Sequence, residues 1–257
     1  MSQRPRGHGQ RPSSAPAAPR QAYGASRPPQ RTSTPLAWTA EQWGAALAPV
    51  GAALGVTLSE LQQRQLASYM VLLHHWNSTY NLTAVRDAPD MLSHHLADCL
   101  AVLPPLARHL AALPEQAAGR RVLDVGSGGG LPGVVLAICC PDISVTCVDT
   151  VGKKAAFIRQ AAAELRLPNL KAEHARVESL KAQFDVITSR AFASLPDFVG
   201  LTTALLAPGG VWMAMKGKLP DDEQAALPAA VDVFHVEQLS VPGLDAERCL
   251  IWMKPRA

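Results

Sequence analysis

Apolar and polar residues change rhythm near Arg121, and two kinds of architecture follow from that change. From Arg121 onward, short apolar runs of strand type alternate with segments of helical period, the pattern of a doubly wound α/β sheet. The runs predict strands near 121–126, 144–149, 170–176, 184–189, 211–216, 233–241 and 248–254. Helices are expected near 132–140, 152–166, 195–207 and 221–230. No convincing helix separates the last two strands, and Val241-Pro242-Gly243-Leu244-Asp245 reads as a hairpin connection. Residues 119–257 are therefore expected to form a mostly parallel seven-stranded sheet that ends in an antiparallel hairpin.

Upstream, over 39–118, the period is helical throughout. A first segment runs from Thr39 to Leu54 and is expected to be interrupted at Pro49. Thr57-Leu58-Ser59-Glu60 has the form of a capping box. It opens a longer helix with Leu58, Leu61, Tyr69, Leu72, Leu73 and Trp76 mostly on one face. A dense polar and aromatic cluster, His75 to Thr83, leaves that helix. A third helix begins near Asp87 to Asp90, carries His94, His95 and Asp98, and ends before Pro104; a short one spans 106–113. Asp98 stands at i+3 from His95 and i+4 from His94, spacings that suit a hydrogen bond or ion pair on one helix face. A metal would need a third ligand of similar logic, and none stands out, so no metal is expected.

Charge is unevenly spread. Residues 1–35 hold six arginines, seven prolines and no acid, with few large apolar side chains, so this tail is expected to stay disordered. It reads either as an RNA-phosphate contact or as a dispensable tail; the prolines argue against a transit peptide. Setting those six charges against the chain's +3 leaves about −3 on the rest, so bulk charge gives no argument that the folded part binds nucleic acid. No apolar run approaches the ~18 residues of a membrane span. Five cysteines without Cys-x-x-Cys spacing suggest neither a zinc site nor a disulfide framework, and a cytoplasmic protein with reduced thiols is expected.

The chemistry concentrates at Val122-Leu123-Asp124-Val125-Gly126-Ser127-Gly128-Gly129-Gly130-Leu131-Pro132-Gly133. Strand, glycine-rich turn and helix in immediate succession bring backbone N–H groups and a helix start close to a nucleotide. Asp149 closes the next strand about 20 residues on, where a carboxylate commonly accepts ribose hydroxyls. Read from Gly128, the turn satisfies the weak dinucleotide pattern G-x-G-x-x-G. Read from Gly126, which directly follows the strand, it is D-x-G-x-G-x-G and resembles the first motif of class I S-adenosylmethionine-dependent methyltransferases. Their Rossmann-like sheet also ends in an antiparallel hairpin.

Ligands of such sheets bind outside the carboxyl ends of the strands. Besides the turn and Asp149, two further places meet that condition: Val177-Glu178, suited to an adenine edge, and Ser189-Arg190-Ala191-Phe192. Arg190 emerges at the crevice and could pair with a cofactor carboxylate or an RNA phosphate, while Lys216-Gly217-Lys218 leaves the fifth strand beside it.

Three stretches taken together are more specific: Trp76-Asn77 to Thr83 with His95 and Asp98, then Asp124 to Gly133, then Ser189 to Ser194. Their order and spacing closely resemble the bacterial small-subunit rRNA guanine-N7 methyltransferases, formerly called glucose-inhibited division protein B. The likeness covers roughly Trp43 to Lys218. It implies S-adenosylmethionine as donor and a guanine N7 in the decoding-region loop of 16S rRNA as acceptor. It implies cofactor contacts at Gly126, Leu131, Val177, Glu178 and Arg190, to which the turn and ribose arguments add Gly128 and Asp149. For the RNA, a local patch is expected at Asn81, His95, Arg190, Lys216 and Lys218, on 16S rRNA or the small ribosomal subunit, with the protein acting as a monomer. Cys99 stands where the family often has serine, and Gly129 where it often has proline or alanine. Guanine N7 has a lone pair and no proton to lose, so no general base is expected; placement and a polar environment supply the acceleration. The rival expectations are a class I methyltransferase with a small-molecule or protein substrate, and a non-catalytic nucleotide-binding module.

Overall fold

A computed structural model describes residues 38–114, 119–218 and 220–256; the tail expected over 1–35 lies outside them. Helix α1 (Ala40–Leu54) opens on a reciprocal box in which Thr39 Oγ1 accepts from Gln42 N–H and Gln42 Oε1 accepts from Thr39 N–H. Helix α2 (Glu60–Tyr80) opens in the same way on Ser59 and Gln62, two residues beyond the box expected at Thr57. Pro49 does not interrupt α1 as expected, because burial of Trp43, Leu47 and Val50 on either side outweighs the one hydrogen bond that proline removes.

The third helix is not one regular element. It is α3 (Ala88–Met91), a π-helical stretch Leu92–Ala97, and α4 (Asp98–Leu100). Pro104 does not end a helix but sits in the first turn of α5 (Leu103–Ala111), where a missing N–H has no intrahelical partner to lose.

The alternating part contains β1 (Arg120–Val125), α6 (Gly133–Cys139), β2 (Ile143–Asp149), α7 (Gly152–Glu164), β3 (Leu170–His174), β4 (Phe184–Arg190), α8 (Leu195–Thr202), β5 (Leu206–Lys216), α9 (Asp221–Ala225), β6 (Val231–Gln238) and β7 (Cys249–Pro255). The seven strands form one sheet in the order β3-β2-β1-β4-β5-β7-β6. The pairs β1–β2, β1–β4, β2–β3 and β4–β5 are parallel, while β7 runs antiparallel to both β5 and β6. That is the expected parallel sheet with a terminal hairpin. Strand β5 starts at Leu206, earlier than expected, because Leu206 pairs with Phe184 and the ladder shifts register before Val186 meets Val211. The run Pro208-Gly209-Gly210, which looks like a loop in sequence, is absorbed into that irregular stretch. Helices α8 and α9 are shorter than their patterns; Pro228 stands just beyond α9.

Strand side chains alternate between two cores. Val122, Val186, Val211 and Met213 join a core that also holds Trp43, Leu66, Leu73, Leu96 and Phe157. Leu123, Ile187, Trp212 and Ala214 join the opposite core with Phe198 and Val199 of α8. The N-terminal helices therefore cover the same face as α6 and α7. The strand order reverses between β1 and β4, so the crevice beyond their carboxyl ends is where ligands of such sheets lie.

Candidate active site

The glycine turn is hung from the neighbouring strand: Gly126 and Ser127 both donate to Val148 O, at 2.9 and 3.2 Å. Gly126, Gly128 and Gly130 take φ of +67°, +57° and +90°, values that disfavour a side chain. A Cβ on Gly133 would stand 2.3 Å from Cys147 Sγ and 2.8 Å from Asp124 Oδ2. Here α6 presses on the sheet, and Asp124 Oδ2 accepts Gly133 N–H at 2.8 Å. Burial pushes the Asp124 carboxyl up to about 7. Gly128 differs, since only Gly126 O, at 3.9 Å, lies near the Cβ it lacks. At that point the turn faces open space.

Two cavities meet over this turn. The first, about 430 Å³, is walled by Leu82, Thr83, His95, Asp98, Leu131, Arg190, Lys216 and Arg248. The second, about 520 Å³, is walled by Asp149, Val151, Lys154, Val177, Glu178 and Phe192. Gly126 and Ala191 line both. Ala191 holds φ +53°, a conformation unusual for a residue with a side chain and concentrated at functional sites.

In the second cavity Asp149 is buried, and its oxygens accept Gly128 N–H at 3.0 Å and Val151 N–H at 2.8 Å, with Lys154 Nζ at 3.7 Å. Each carboxylate oxygen has a second lone pair, so both can also accept a hydroxyl. Val177 is buried in a short 3-10 turn and Glu178 beside it is exposed.

The first cavity is organised by Asp98, whose side chain is 3% exposed. Arg190 Nη1 donates to Asp98 Oδ2 at 3.1 Å and to His94 O at 2.7 Å. Arg248 Nε donates to Asp98 Oδ1 at 3.0 Å. Two guanidinium groups thus share one carboxylate, which leaves a net positive wall. The expected His–Asp pairing on the helix face does not form. The π-helical stretch widens each turn by a residue and removes the i, i+3 and i, i+4 alignment on which that pairing depended. His95 Nε2 instead meets Thr83 Oγ1 at 2.8 Å, and burial, reinforced by Arg190, holds its imidazolium pKa down at about 4.

The predicted residues divide cleanly. Gly126, Gly128, Leu131, Asp149, Val177, Glu178, Arg190, His95 and Lys216 all line one cavity or the other. Asn81 and Lys218 are not brought into either wall. Asn81 ends α2 in the left-handed conformation, and its Oδ1 accepts from Arg86 Nη2 at 2.9 Å. Lys216 is engaged, donating to Glu223 Oε2 at 2.8 Å and Ala193 O at 2.9 Å. Arg248 was not singled out from sequence, and Thr83 entered only as the end of the Trp76 to Thr83 stretch, with no contact assigned to it. Nothing in the pattern around Arg248 marks it, whereas Asp98 is a lone acid in the apolar run Leu96-Ala97-Asp98-Cys99-Leu100, a placement that normally needs a buried partner. Among the described residues, no group of His, Cys, Asp and Glu could hold a metal ion, and no helix is long and apolar enough to cross a membrane.

The space fits a nucleoside joined to an amino acid. A buried carboxylate with spare acceptor capacity lies in one chamber, a partly exposed guanidinium in the other, and glycine without a Cβ between them.

A family model described as GidB, rRNA small subunit methyltransferase G, matches residues 62–251. The chain belongs to the rRNA small subunit methyltransferase G family. Curated relatives agree. "Ribosomal RNA small subunit methyltransferase G" of Acidovorax sp. (strain JS42) is 62% identical over 208 residues, 80% of this chain and 92% of the relative. The protein of the same name from Polaromonas naphthalenivorans (strain CJ2) is 61% identical over 205 residues, 79% of this chain and 91% of its own. Among solved structures, magnesium protoporphyrin IX methyltransferase from Synechocystis PCC 6803 with bound SAM superposes with a TM-score of 0.52 at 13% identity, covering 72% of this chain and 96% of that one. That likeness concerns the fold alone. Membership of the rRNA small subunit methyltransferase G family is what the residues at 76–98, 124–133 and 189–194 implied, and both cavities lie within the matched span.

Proposed function

We propose that the chain transfers the methyl group of S-adenosylmethionine to N7 of a guanine in the decoding-region loop of 16S rRNA. When bound, S-adenosylmethionine supplies a methyl group on a sulfonium. The chain's part is to hold both partners. Asp149 accepts the ribose hydroxyls, the Val177–Glu178 turn faces the adenine edge, and Arg190 meets the amino-acid carboxylate. Gly126 and Ala191 form the passage between the chambers, and the guanine enters the first one.

The observation that carries this reading is the state of the two buried bases in the first chamber. Asp98 is consumed by two arginines, and His95 is held by Thr83. Neither is poised to remove a proton, which suits an acceptor nitrogen that has none to lose. Acceleration then comes from alignment within a fixed, charged wall.

Mapping methylated nucleotides in 16S rRNA from a strain lacking the gene tests the assignment. N7-methylguanosine in the decoding loop should disappear and return with the gene. Its persistence would overturn the proposal, and binding of NAD in preference to S-adenosylhomocysteine would turn the reading toward a nucleotide-binding module.

A further inference from the structure

Four aromatic rings run from beneath the glycine turn to the protein surface. Tyr69 donates its hydroxyl to Gly129 O at 2.6 Å and lies 6.3 Å from Phe157. Phe157 lies 5.5 Å from Trp76, and Trp76 5.1 Å from Tyr80, centroid to centroid. Tyr69 and Phe157 are fully buried and Trp76 is half-buried, so three rings are explained by packing. Tyr80 is 39% exposed and ends the row facing water.

Its position ties it to the cavity. Leu73 of α2 lines the first chamber, and Tyr80 follows on the same helical face two turns later, about 10 Å along the axis. The chain then turns at Asn81 and returns at once to the chamber wall with Leu82 and Thr83. Tyr80 thus lies outside the wall itself, on the helix turn that joins Leu73 to Leu82 and Thr83 of that wall. Two cations belong to the same elements: Arg86 is held against the side chain of Asn81, the residue after Tyr80, and Lys153 is exposed one turn before Phe157 on α7.

We propose that Tyr80 is a stacking platform for an unpaired RNA base immediately next to the target guanine, with Arg86 and Lys153 facing the adjoining phosphates. The inference rests on the rRNA reading above and deepens it. A base must leave its stack to reach a buried reactive centre, and its neighbour then lacks one stacking partner. An exposed aromatic ring replaces that partner for any base, while nearby cations hold the backbone.

The test is steady-state methylation of reconstituted small ribosomal subunits by the full chain and its Tyr80→Ala, Tyr80→Phe and Tyr80→Trp variants. Loss of one stacked base corresponds to roughly a 5- to 100-fold rise in KM for the alanine variant. Affinity for S-adenosylhomocysteine should stay unchanged, and phenylalanine or tryptophan should restore KM. Subunits whose rRNA lacks the base beside the target should penalise the wild type and leave Tyr80→Ala indifferent. An unchanged KM in Tyr80→Ala, a parallel loss of cofactor affinity, or an equal abasic penalty in both enzymes would overturn the stacking role. Failure of the wild type to methylate any subunit would instead overturn the rRNA reading, and the stacking role with it.

Discussion

The two chambers are built on different principles. The one beside Asp149 is assembled from the ends of two adjacent strands, and its polar groups are fixed by bonds to the backbone: Gly128 and Val151 to Asp149, Gly126 and Ser127 to Val148. The one beside Asp98 is assembled from segments far apart in the chain, residues 83 to 98, 190 and 248, joined by side-chain hydrogen bonds and ion pairs rather than by backbone ladder. A chamber of the first kind is stiff because the sheet is stiff. A chamber of the second kind exists only while its charges remain paired. Substitutions should therefore register mainly as lost affinity in one and as lost stability in the other.

The largest effect is expected at Asp98. Asp98→Ala leaves two guanidinium groups, each about a fifth exposed, without their shared anion. Removing one partner of a buried ion pair costs about 3 kcal/mol or more, the lower end applying here because both arginines retain some solvent. For a chain of this size that corresponds to a fall in Tm of roughly 10 °C, readable by thermal or urea unfolding. A loss well under ~1 kcal/mol would show that the arginines relax into water and that the two chambers do not differ in kind.

Asp149→Ala should show a different balance. Cofactor affinity should fall by about 1–3 kcal/mol, the value of a charged hydrogen-bonded contact. Stability should fall by about 2 kcal/mol, about 1 for each of the part-buried Gly128 and Val151 amides left without an acceptor, and so by less than in Asp98→Ala. Calorimetry with S-adenosylhomocysteine gives the first quantity and urea unfolding the second. Unchanged affinity would remove Asp149 from the cofactor site and leave it as a turn anchor.

A smaller effect distinguishes the chambers by pH. His95 in the folded chain takes up a proton only near 4, against about 6.5 when unfolded. Between those values the unfolded state binds a proton that the folded state refuses, so the contribution of His95 to stability falls as pH drops from about 6.5 to about 4 and levels off below. His95→Gln should flatten that part of the stability profile. Parallel wild-type and variant curves between pH 7 and 4 would mean that His95 is protonated in the folded chain.

The same division explains what could be read in the sequence. The turn from Gly126 to Gly133 and the carboxylate at Asp149 are local patterns, in which a few adjacent residues dictate strand, turn and helix. The sheet followed from period alone, including the terminal hairpin at Val241 to Asp245. Where propensity met tertiary packing, packing won: α1 continues through Pro49, and β5 absorbs Pro208-Gly209-Gly210. The Asp98 network was hidden for a different reason. Its members are 92 and 150 positions from Asp98, and the π-helical stretch that leads into Asp98 breaks the spacing rules by which helix neighbours are recognised. Lys216 was legible as a crevice residue, but its engagement by Glu223 depends on where α9 docks.

The hydroxyl of Tyr69 has a practical consequence for anyone wishing to trim this enzyme to a minimal unit. It closes on the carbonyl of Gly129, while Leu73 Cδ1 lies 3.0 Å from the Cβ position of the same glycine. A fragment starting at the first strand would keep every strand and the whole glycine turn, yet expose that carbonyl and the apolar flank of the turn to water. Shortening should begin from the other direction, at residues before Thr39, and any graft of the sheet onto a foreign partner must carry α2 with it. The helices ahead of the sheet are the turn's outer mould, and a casting removed from its mould before it sets does not keep its shape.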